Sequence, residues 1–206
     1  LPDTKNISEE QRAIHAIKVA EKAKEYEKKQ IERRREIESE IEDTRAGAYR
    51  LFKDCQSITG SEGEAYLKKR GLILPIAPYA KYLRYTPRLK HANGNYYSAI
   101  VCAVIDNTGT FKGVWRIHLN GKGDKAPLGK EAKMGLGPCA GGAVWLGEPA
   151  GGINTVEGLE TGVGVLCAAT NGWPVAVCLS TSGLLAFDPP LCVKSVLCWP
   201  DGDVSR

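Results

Sequence analysis

Residues 153–198 read INTVEGLETGVGVLCAATNGWPVAVCLSTSGLLAFDPPLCVKSVLC, a stretch in which short apolar runs alternate with amphipathic ones. Three strands and two helical segments are predicted in it: strands at 153–156, 175–179 and 193–197, a helix over 159–169, and a helical turn over 183–187. Apolar strands that alternate with helices are typical of a parallel sheet whose two faces are covered. We therefore assign this part of the chain to the α/β class.

Carboxylates follow the first and the third of these strands. Glu157 comes directly after Val156, and the pair Asp201 and Asp203 stands in the segment WPDGD beyond the third strand. Because ligands of parallel sheets collect at the carboxyl ends of the strands, the three side chains are expected at one edge. A solvated turn is the alternative interpretation of the aspartates, since Pro-Asp and Asp-Gly are common in turns.

Three carboxylates at one edge repel one another unless a cation lies among them. Carboxylate oxygens are hard ligands, and they favour Mg²⁺ or Mn²⁺. Such a site suits phosphoryl transfer, in which the ion neutralises charge on phosphate oxygens and positions the attacking group. We therefore predict that Glu157, Asp201 and Asp203 are both catalytic residues and metal ligands.

The seven cysteines do not predict a zinc site. The sequence has no C-x-x-C pair, and no histidine stands at metal-ligand spacing from a cysteine. Most of the cysteines lie in apolar runs such as VAVCLS, where a reduced cysteine acts as a small apolar side chain. We expect no zinc in this chain and a reducing compartment around it.

The composition predicts a soluble, cytoplasmic protein with no membrane partner. Hydrophobic residues make up 43% of the chain, which is ordinary for a globular protein. No apolar run approaches the roughly 20 residues needed to cross a bilayer, and the start LPDTKNISEEQ does not resemble a signal peptide. Because the sequence begins with Leu1, we expect further residues upstream of it in the natural protein.

Residues 1–44 are predicted to form a charged helical linker. Their apolar positions are sparse and keep no heptad, while opposite charges recur at spacings of three and four residues. This pattern favours a mostly solvated spacer over a coiled coil. Charge is uneven along the chain: the counts of Lys+Arg against Asp+Glu are 12 and 12 in residues 1–50, 14 and 6 in 51–133, and 2 and 6 in 134–206.

Residues 45–148 are predicted to form a basic α+β subdomain. The segment SEGEAYLKKRGL is typical of a short helix that ends at Gly71. Three strands are predicted after it, of which the first two form a hairpin: Tyr96–Asp106, Gly113–Leu119 and Gly141–Leu146. The Gly/Pro-rich link GEPAGG then leads into the parallel sheet of residues 149–206.

The segments INTVEGLETGVGVL, PVAVCLSTSGLLAF and VKSVLCWPDGD resemble, in this order, the three motifs of a Toprim domain, the catalytic module of bacterial-type primases, type IA and type II topoisomerases and some nucleases. In that family the Glu after the first strand and the Asp-x-Asp after the third are the catalytic and metal-binding positions. They correspond here to Glu157, Asp201 and Asp203.

Segments upstream of these three motifs narrow the resemblance to one class of primase. EAYLKKRGL, LRYTPRL and AIVCAVIDNTGTFKGVWRIHLNGKGDKAPLG look like the part that precedes Toprim in phage- and plasmid-encoded primases. In those proteins a zinc-binding module often comes first, which this chain lacks, and a helicase domain can follow. Two departures stand out. The chain stops shortly after the acidic pair, so we expect an incomplete Toprim sheet, and Thr161 stands where many relatives have Asp.

The resemblance gives the basic middle of the chain a role. Six cations are expected to border the acidic edge and to bind nucleotides or nucleic acid: Arg84, Arg88, Lys90, Arg116, Lys125 and Lys133. Aromatic residues are interleaved with them, namely Tyr82, Tyr85 and Trp115, and aromatics of this kind suit base stacking. The alternative is a solvated face with core aromatics.

The resemblance implies a DNA primase core that makes short RNA primers on a single-stranded DNA template from nucleoside triphosphates, with Mg²⁺ or Mn²⁺ as cofactor. Its implied setting is the bacterial cytoplasm, on a phage, plasmid or integrated element, with a replicative helicase as a further partner. Two other functions stay open, because fold alone does not separate them. One is a Toprim nuclease, and the other is a degenerate single-strand-binding module attached to a helicase.

Overall fold

The computed structural model of the 206-residue chain describes the backbone of residues 9–200 and the side chains of residues 12–200. The chain divides into two compact units, Leu1–Glu42 and Asp43–Arg206. Within the described residues, no helix is long and apolar enough to span a membrane. The predicted boundaries at 44/45 and 148/149 stay predictions.

A long N-terminal helix, α1 (Glu9–Asp54), confirms the prediction of helix for this region. Residues 12–42 are exposed, including isoleucines such as Ile14 and Ile17. Ion pairs one turn apart support it, for example Lys29 Nζ to Glu25 Oε1 at 2.7 Å. The helix runs ten residues past the predicted end of the linker, and its last turns become amphipathic: Ala48 is fully buried and Phe52 is partly buried.

The unit Asp43–Arg206 is mixed α/β. Its strands are β1 (Gln56–Ser57), β2 (Leu83–Lys90), β3 (Tyr96–Ile105), β4 (Phe111–Leu119), β5 (Lys133–Leu136), β6 (Val144–Leu146), β7 (Gly152–Val156), β8 (Val175–Val177) and β9 (Ser195–Trp199). Its further helices are α2 (Glu62–Lys69), α3 (Leu159–Ala168) and α4 (Thr181–Ala186), with 3₁₀ turns at Ala77–Tyr79 and Gly129–Ala132.

The first sheet is antiparallel, in the order β1-β2-β3-β4-β5. The predicted hairpin is present as β3 and β4, with Ile100 paired to Ile117. The sequence does not predict β2 because Pro87 lies inside it. The register shifts between Thr86 and Leu89, so the proline occupies an irregularity at which no ladder hydrogen bond is needed.

The second sheet has the order β6-β8-β7-β9. Strands β7, β8 and β9 are mutually parallel, as the alternating pattern predicts, and β6 joins the edge antiparallel to β8. Helix α3 lies on one face through Leu159 and Val163, and α4 lies on the other through Leu184 and the following Phe187. The helices therefore cover opposite faces of this sheet, as expected for parallel strands.

One hydrophobic cluster joins the two sheets. Ile100 and Ile117 of the first sheet pack in the same cluster as Val144 and Val156 of the second and Val163 of α3. Helix α2 adds Tyr66 and Leu67, both fully buried. The face of the second sheet that carries α3 thus packs against the face of the antiparallel sheet that carries α2.

Candidate active site

The register of β7 and β9 brings the ends of these two strands together. Val156 pairs with Trp199, so both strands leave the sheet at one edge. Glu157 follows Val156 directly, and Asp201 follows Trp199 by two residues in the sequence. Asp201 and Asp203 lie outside the described residues. Of the three predicted acidic residues, the structure therefore describes Glu157 alone.

Glu157 is half-exposed, and its carboxylate is held by a neighbouring turn. Thr181 Oγ1 donates a hydrogen bond to Glu157 Oε2 at 2.8 Å. Thr181 is the first residue of α4, and Ser180 before it caps the helix by accepting from the backbone N–H of Gly183 at 3.0 Å. The sequence STSG, with three hydroxyl residues before a glycine, therefore builds both the cap and the support for Glu157.

The turn that carries Thr181 has an unusual backbone. Leu179 has a φ of 74°, the one non-glycine residue with positive φ among those the structure describes. A leucine in this conformation costs roughly 1–2 kcal/mol. At Gly183 a Cβ atom would collide with the carbonyl oxygen of Cys178, so only glycine fits there. A strained turn between β8 and α4 thus aims Thr181 at the carboxyl edge.

A second carboxylate, Glu160, stands at the centre of the best-ordered polar cluster near this edge. Tyr66 Oη donates to Glu160 Oε1 at 2.5 Å, and Lys133 Nζ donates to Glu160 Oε2 at 2.8 Å. Lys125 Nζ lies 3.8 Å from Glu160 Oε1. Burial opposes ionisation of Glu160, but the hydrogen bonds from Lys133 and Tyr66 outweigh it and hold the pKa of the carboxyl below its usual range.

The sequence does not predict the roles of Glu160, Tyr66 or Thr181. Glu160 is three residues beyond Glu157 on the first turn of α3, and a carboxylate at a helix N-terminus has an ordinary structural explanation. Tyr66 reaches Glu160 across 94 residues of sequence, and nothing in the local pattern of α2 indicates that contact. Only the close spacing of Glu157 and Glu160, three residues apart between the end of β7 and the first turn of α3, could have suggested a linked pair.

The six predicted basic residues are not brought to one place. Lys125 and Lys133 meet at Glu160, beside the parallel sheet. Arg84 and Arg116 both pair with Val101 across the first sheet, on the face that packs against the end of α1. The two groups therefore lie on opposite faces of the antiparallel sheet, because side chains alternate along a strand.

Arg116 is engaged with the backbone of the edge strand β5. Its Nη2 donates to the carbonyl oxygen of Gly135 at 2.9 Å, and its Nε donates to that of Met134 at 3.4 Å. Burial lowers the pKa of Arg116, but a guanidinium remains charged in proteins. Arg84 lies over the ring of Phe52, 5.6 Å from its centroid. These contacts give both arginines a structural role in the fold.

Arg88 and Lys90 occupy the far end of β2, and both are exposed. The guanidinium of Arg88 lies 4.2 Å from the centroid of Tyr96, a residue of β3 that pairs with Lys90. Of the predicted aromatics, Tyr85 is buried, and Trp115 lines a cleft of about 370 Å³ together with Leu179 and Ser180. This cleft adjoins the turn that supports Glu157.

No group of three or more His, Cys, Asp and Glu side chains within the described residues is placed to hold a metal ion. The predicted ligands are all carboxylates, and that donor set suits Mg²⁺ or Mn²⁺. Glu157 fits the role of one such ligand, since it is half-exposed at a strand end and anchored through a single oxygen. Asp201 and Asp203, outside the described residues, are needed to complete the predicted set.

Comparison with known proteins gives one family and two solved structures. A family described as "Domain of unknown function (DUF7146)" matches residues 42–146. No curated protein matches the sequence. The chain is similar to the crystal structure of the Aquifex aeolicus primase (zinc-binding and RNA polymerase domains), with 17% identity and a TM-score of 0.46 over 78% of this chain. It is also similar to the DnaG primase catalytic domain bound to ssDNA, with 14% identity and a TM-score of 0.39 over 77% of this chain. The chain spans 48% and 62% of those two chains.

Proposed function

We propose that this chain, which belongs to the family described as Domain of unknown function (DUF7146), is the catalytic core of a DNA primase. It joins nucleoside triphosphates into short RNA primers on a single-stranded DNA template. The observation that supports this proposal is the parallel register of β7 and β9. It pairs Val156 with Trp199, so the strand before Glu157 and the strand before the Asp201/Asp203 pair end side by side.

In this proposal Glu157, Asp201 and Asp203 hold Mg²⁺ or Mn²⁺. The ion, when bound, neutralises charge on the triphosphate and positions the attacking hydroxyl. Thr181 fixes the orientation of the Glu157 carboxylate through the hydrogen bond of 2.8 Å. The strained turn at Leu179 keeps Thr181 in place, because a helix that begins at this residue cannot shift without breaking the Ser180 cap.

Lys133 and Lys125 both contact Glu160, which follows Glu157 by three residues. They supply positive charge for the triphosphate, and Glu160 orients them before the substrate arrives. Preorganised charges of this kind stabilise charge that develops on the phosphate oxygens at little reorganisation cost. The resemblance to phage and plasmid primases extends the proposal to a replicative helicase as a partner in the bacterial cytoplasm.

The proposal is tested with the 206-residue chain, a single-stranded template, labelled nucleotides and Mg²⁺. Short labelled oligonucleotides are expected. Shortened template instead would identify a nuclease, and a mobility shift with neither product would identify a binding module. The control is the double variant Asp201→Asn/Asp203→Asn, which should lose nucleotidyl transfer and retain most single-strand affinity.

A melting experiment tests the metal site separately. Mn²⁺ should raise the Tm of the parent by mass action. The double variant should be at least as stable as the parent without metal, since it lacks the mutual repulsion, and should gain nothing from Mn²⁺. A destabilised double variant that still responds to Mn²⁺ would mean that Asp201 and Asp203 form a turn and that the metal lies elsewhere.

A further inference from the structure

A cleft of about 680 Å³ opens at the end of the antiparallel sheet where β2, β3 and the β4–β5 loop meet. We call it the tyrosine cleft and define it by Glu62, Tyr85, Tyr96, Tyr97, Ser98 and Pro127. Its volume lies within the range of sites that bind small molecules or individual nucleotides. The proposed catalytic edge does not use it, and the nucleic-acid-binding residues predicted from the sequence include Tyr85 in its wall and Arg88 and Lys90 at its rim.

Two tyrosine rings, those of Tyr85 and Tyr96, face the cleft, because Tyr96 lies on the same face of β3 as Ile100, the partner of Tyr85. Tyr85 is buried, Tyr97 is half-buried, and Tyr96 keeps 51% of its surface exposed. Tyr97 follows Tyr96 on the strand, so its ring lies on the opposite face, where it makes edge contacts with His91 and His118 at centroid distances of 5.9 and 6.2 Å. Tyr96 therefore supplies the exposed aromatic ring of the cleft, and such a ring is a common platform for stacking an unpaired base.

Cations border these rings. The Arg88 guanidinium lies 4.2 Å from the centroid of Tyr96, and Lys90 is the cross-strand partner of the same tyrosine. Lys122 is exposed on the loop that closes the opposite side of the cleft. That loop is ordered, since Asn120 Oδ1 accepts from the backbone N–H groups of Lys122 and Asp124 at 2.8 and 3.2 Å. Positive charge therefore flanks the aromatic faces on both sides.

The carboxylate in the floor of the cleft is already occupied. Glu62 Oε2 accepts from Ser98 Oγ at 2.6 Å and from Tyr85 Oη at 3.1 Å, while Oε1 accepts from the Gly123 N–H at 3.0 Å. The carboxylate of the half-buried Glu62 is thus hydrogen-bonded to the protein through both oxygens. This negative charge disfavours a phosphate at the floor of the cleft. Phosphates are therefore expected to bind the cations at the rim, and the base to stack on Tyr96.

We propose that the tyrosine cleft binds single-stranded nucleic acid, with an unpaired base stacked on Tyr96 and the phosphate backbone on Arg88, Lys90 and Lys122. An exposed aromatic ring bordered by cations suits single-stranded nucleic acid. An extended peptide would instead need unpaired backbone donors or acceptors along a strand edge. The proposal deepens the proposed function and rests on it only in identifying the bound strand as the primase template.

The cleft connects to the catalytic edge through the β4–β5 loop. Asn120, Gly121 and Pro127 line the cleft, and Lys125 of the same loop reaches Glu160. A strand that follows the loop from Tyr96 therefore passes Lys125 and Lys133 before it reaches the end of β7. Lys69 binds Asp124 at 2.7 Å, which neutralises one of the two acidic side chains of this loop, the other being Glu131.

The test measures binding of a fluorescein-labelled oligothymidylate of about 16 nucleotides by anisotropy, without metal or nucleotides. Tyr96→Ala should weaken Kd roughly tenfold and leave the salt dependence unchanged, because stacking is not electrostatic. Tyr96→Phe should keep the parent affinity. Arg88→Ala should weaken Kd and reduce the log–log salt slope by about 0.7, the contribution of one phosphate on a single strand.

Matched controls are Tyr26→Ala and Arg50→Ala, which remove an exposed tyrosine and an exposed arginine from α1 and should change neither Kd nor slope. Melting curves confirm that the exposed-site variants are folded. Parent affinity in Tyr96→Ala, or the same loss in Tyr96→Phe, would overturn the stacking proposal. If the Kd depends on Tyr96 but no primer is made, the cleft proposal holds and the primase proposal fails. If primers are made but the Kd does not depend on Tyr96, the primase proposal holds and the cleft proposal fails.

Discussion

Lys133 and Glu160 form a hydrogen-bonded ion pair, with Nζ 2.8 Å from Oε2, between the edge strand of the antiparallel sheet and the first turn of the helix that follows Glu157. The side chains are 30% and 20% exposed, so the pair is largely shielded from solvent. Shielding strengthens the attraction, and the hydroxyl of Tyr66 satisfies the second carboxylate oxygen. The pair therefore fixes the position of a cation close to the proposed catalytic edge.

Glu160→Gln should destabilise the fold by about 1–3 kcal/mol at neutral pH, since the amide keeps the shape of the side chain but loses the charge-assisted bond. The pH dependence gives a sharper test. The pKa of Glu160 is lowered in the folded state, so its contribution is present above the unfolded pKa of about 4.3 and is lost as pH falls through the folded value.

Urea denaturation between neutral pH and about pH 3 measures this contribution. The parent should lose stability relative to Glu160→Gln as pH falls below about 4.3, so that the two curves converge. The matched control is Glu148→Gln, which removes a carboxylate from the exposed pair with Lys81. Its unfolding free energy should fall in acid nearly as much as that of the parent does, because exposed ion pairs contribute little to stability.

The parallel sheet could be predicted from the sequence because its pattern is local. Apolar runs near Val156, Val177 and Leu197 are each followed by turn or helix signals, and a right-handed crossover leaves few ways to arrange them. The position of Glu157 follows from the same pattern. Strand β2 could not be predicted, since Pro87 disfavours a strand unless a register shift accommodates it.

The cluster around Glu160 could not be predicted, because it depends on contacts between distant segments. Tyr66, Lys133 and Glu160 meet only when α2, β5 and α3 pack around one core. Charge counting predicted a single basic surface near the acidic edge. The alternation of side chains along the strands instead places Arg84 and Arg116 on the opposite face from Lys133.

Two glycines of α3 should respond oppositely to alanine. A Cβ at Gly162 would lie 2.9 Å from Val177 Cγ2 and 3.2 Å from Val156 Cγ2, so Gly162→Ala pushes the helix off the sheet. At Gly164 nothing lies within 4 Å. We expect Gly162→Ala to cost about 1–3 kcal/mol and Gly164→Ala to stabilise by about 0.5–1 kcal/mol, the gain in helix propensity. Thermal melts of both variants decide this; stabilisation by both would show that α3 is loosely packed.

His118 should make the fold less stable in mild acid. It is fully buried and its Nδ1 lies 3.4 Å from the carbonyl oxygen of Ala132, which assigns the proton to Nδ1. Burial lowers the pKa of His118, and the charges of Arg116 and His91 act in the same direction. A lowered folded pKa means that the unfolded chain binds the proton first, so stability is full above about pH 6.5 and falls below it.

The slope of the unfolding free energy between about pH 5 and 6.5 measures the effect. His118→Gln should have a smaller slope than the parent, whatever its absolute stability. His15→Gln changes an exposed histidine of α1 and should keep the parent slope. The ring of His91 packs edge-on against that of His118, with centroids 5.0 Å apart, and its Nε2 lies 3.9 Å from Glu131 Oε2, so the double variant with His91→Gln separates the contributions of the two histidines. An unchanged slope in His118→Gln would mean that the imidazole is protonated in the fold.

The substitution Thr181→Val tests whether the Thr181 hydroxyl serves the Glu157 carboxylate or the stability of the fold. The substitution keeps the β-branched shape of the first residue of α4 and removes the hydroxyl that donates to Glu157 Oε2. The loss of one hydrogen bond to a charged group, about 1.5–3 kcal/mol, should lower the rate of nucleotidyl transfer at least tenfold and raise the Mn²⁺ concentration needed for half-maximal activity.

Thr181→Ser retains the hydroxyl and should keep both values near those of the parent. Because Ser180 supplies the helix cap, the Tm of Thr181→Val should stay close to the parent value. A variant with lowered Tm and unchanged metal dependence would show that Thr181 serves the β8–α4 turn and not the carboxylate.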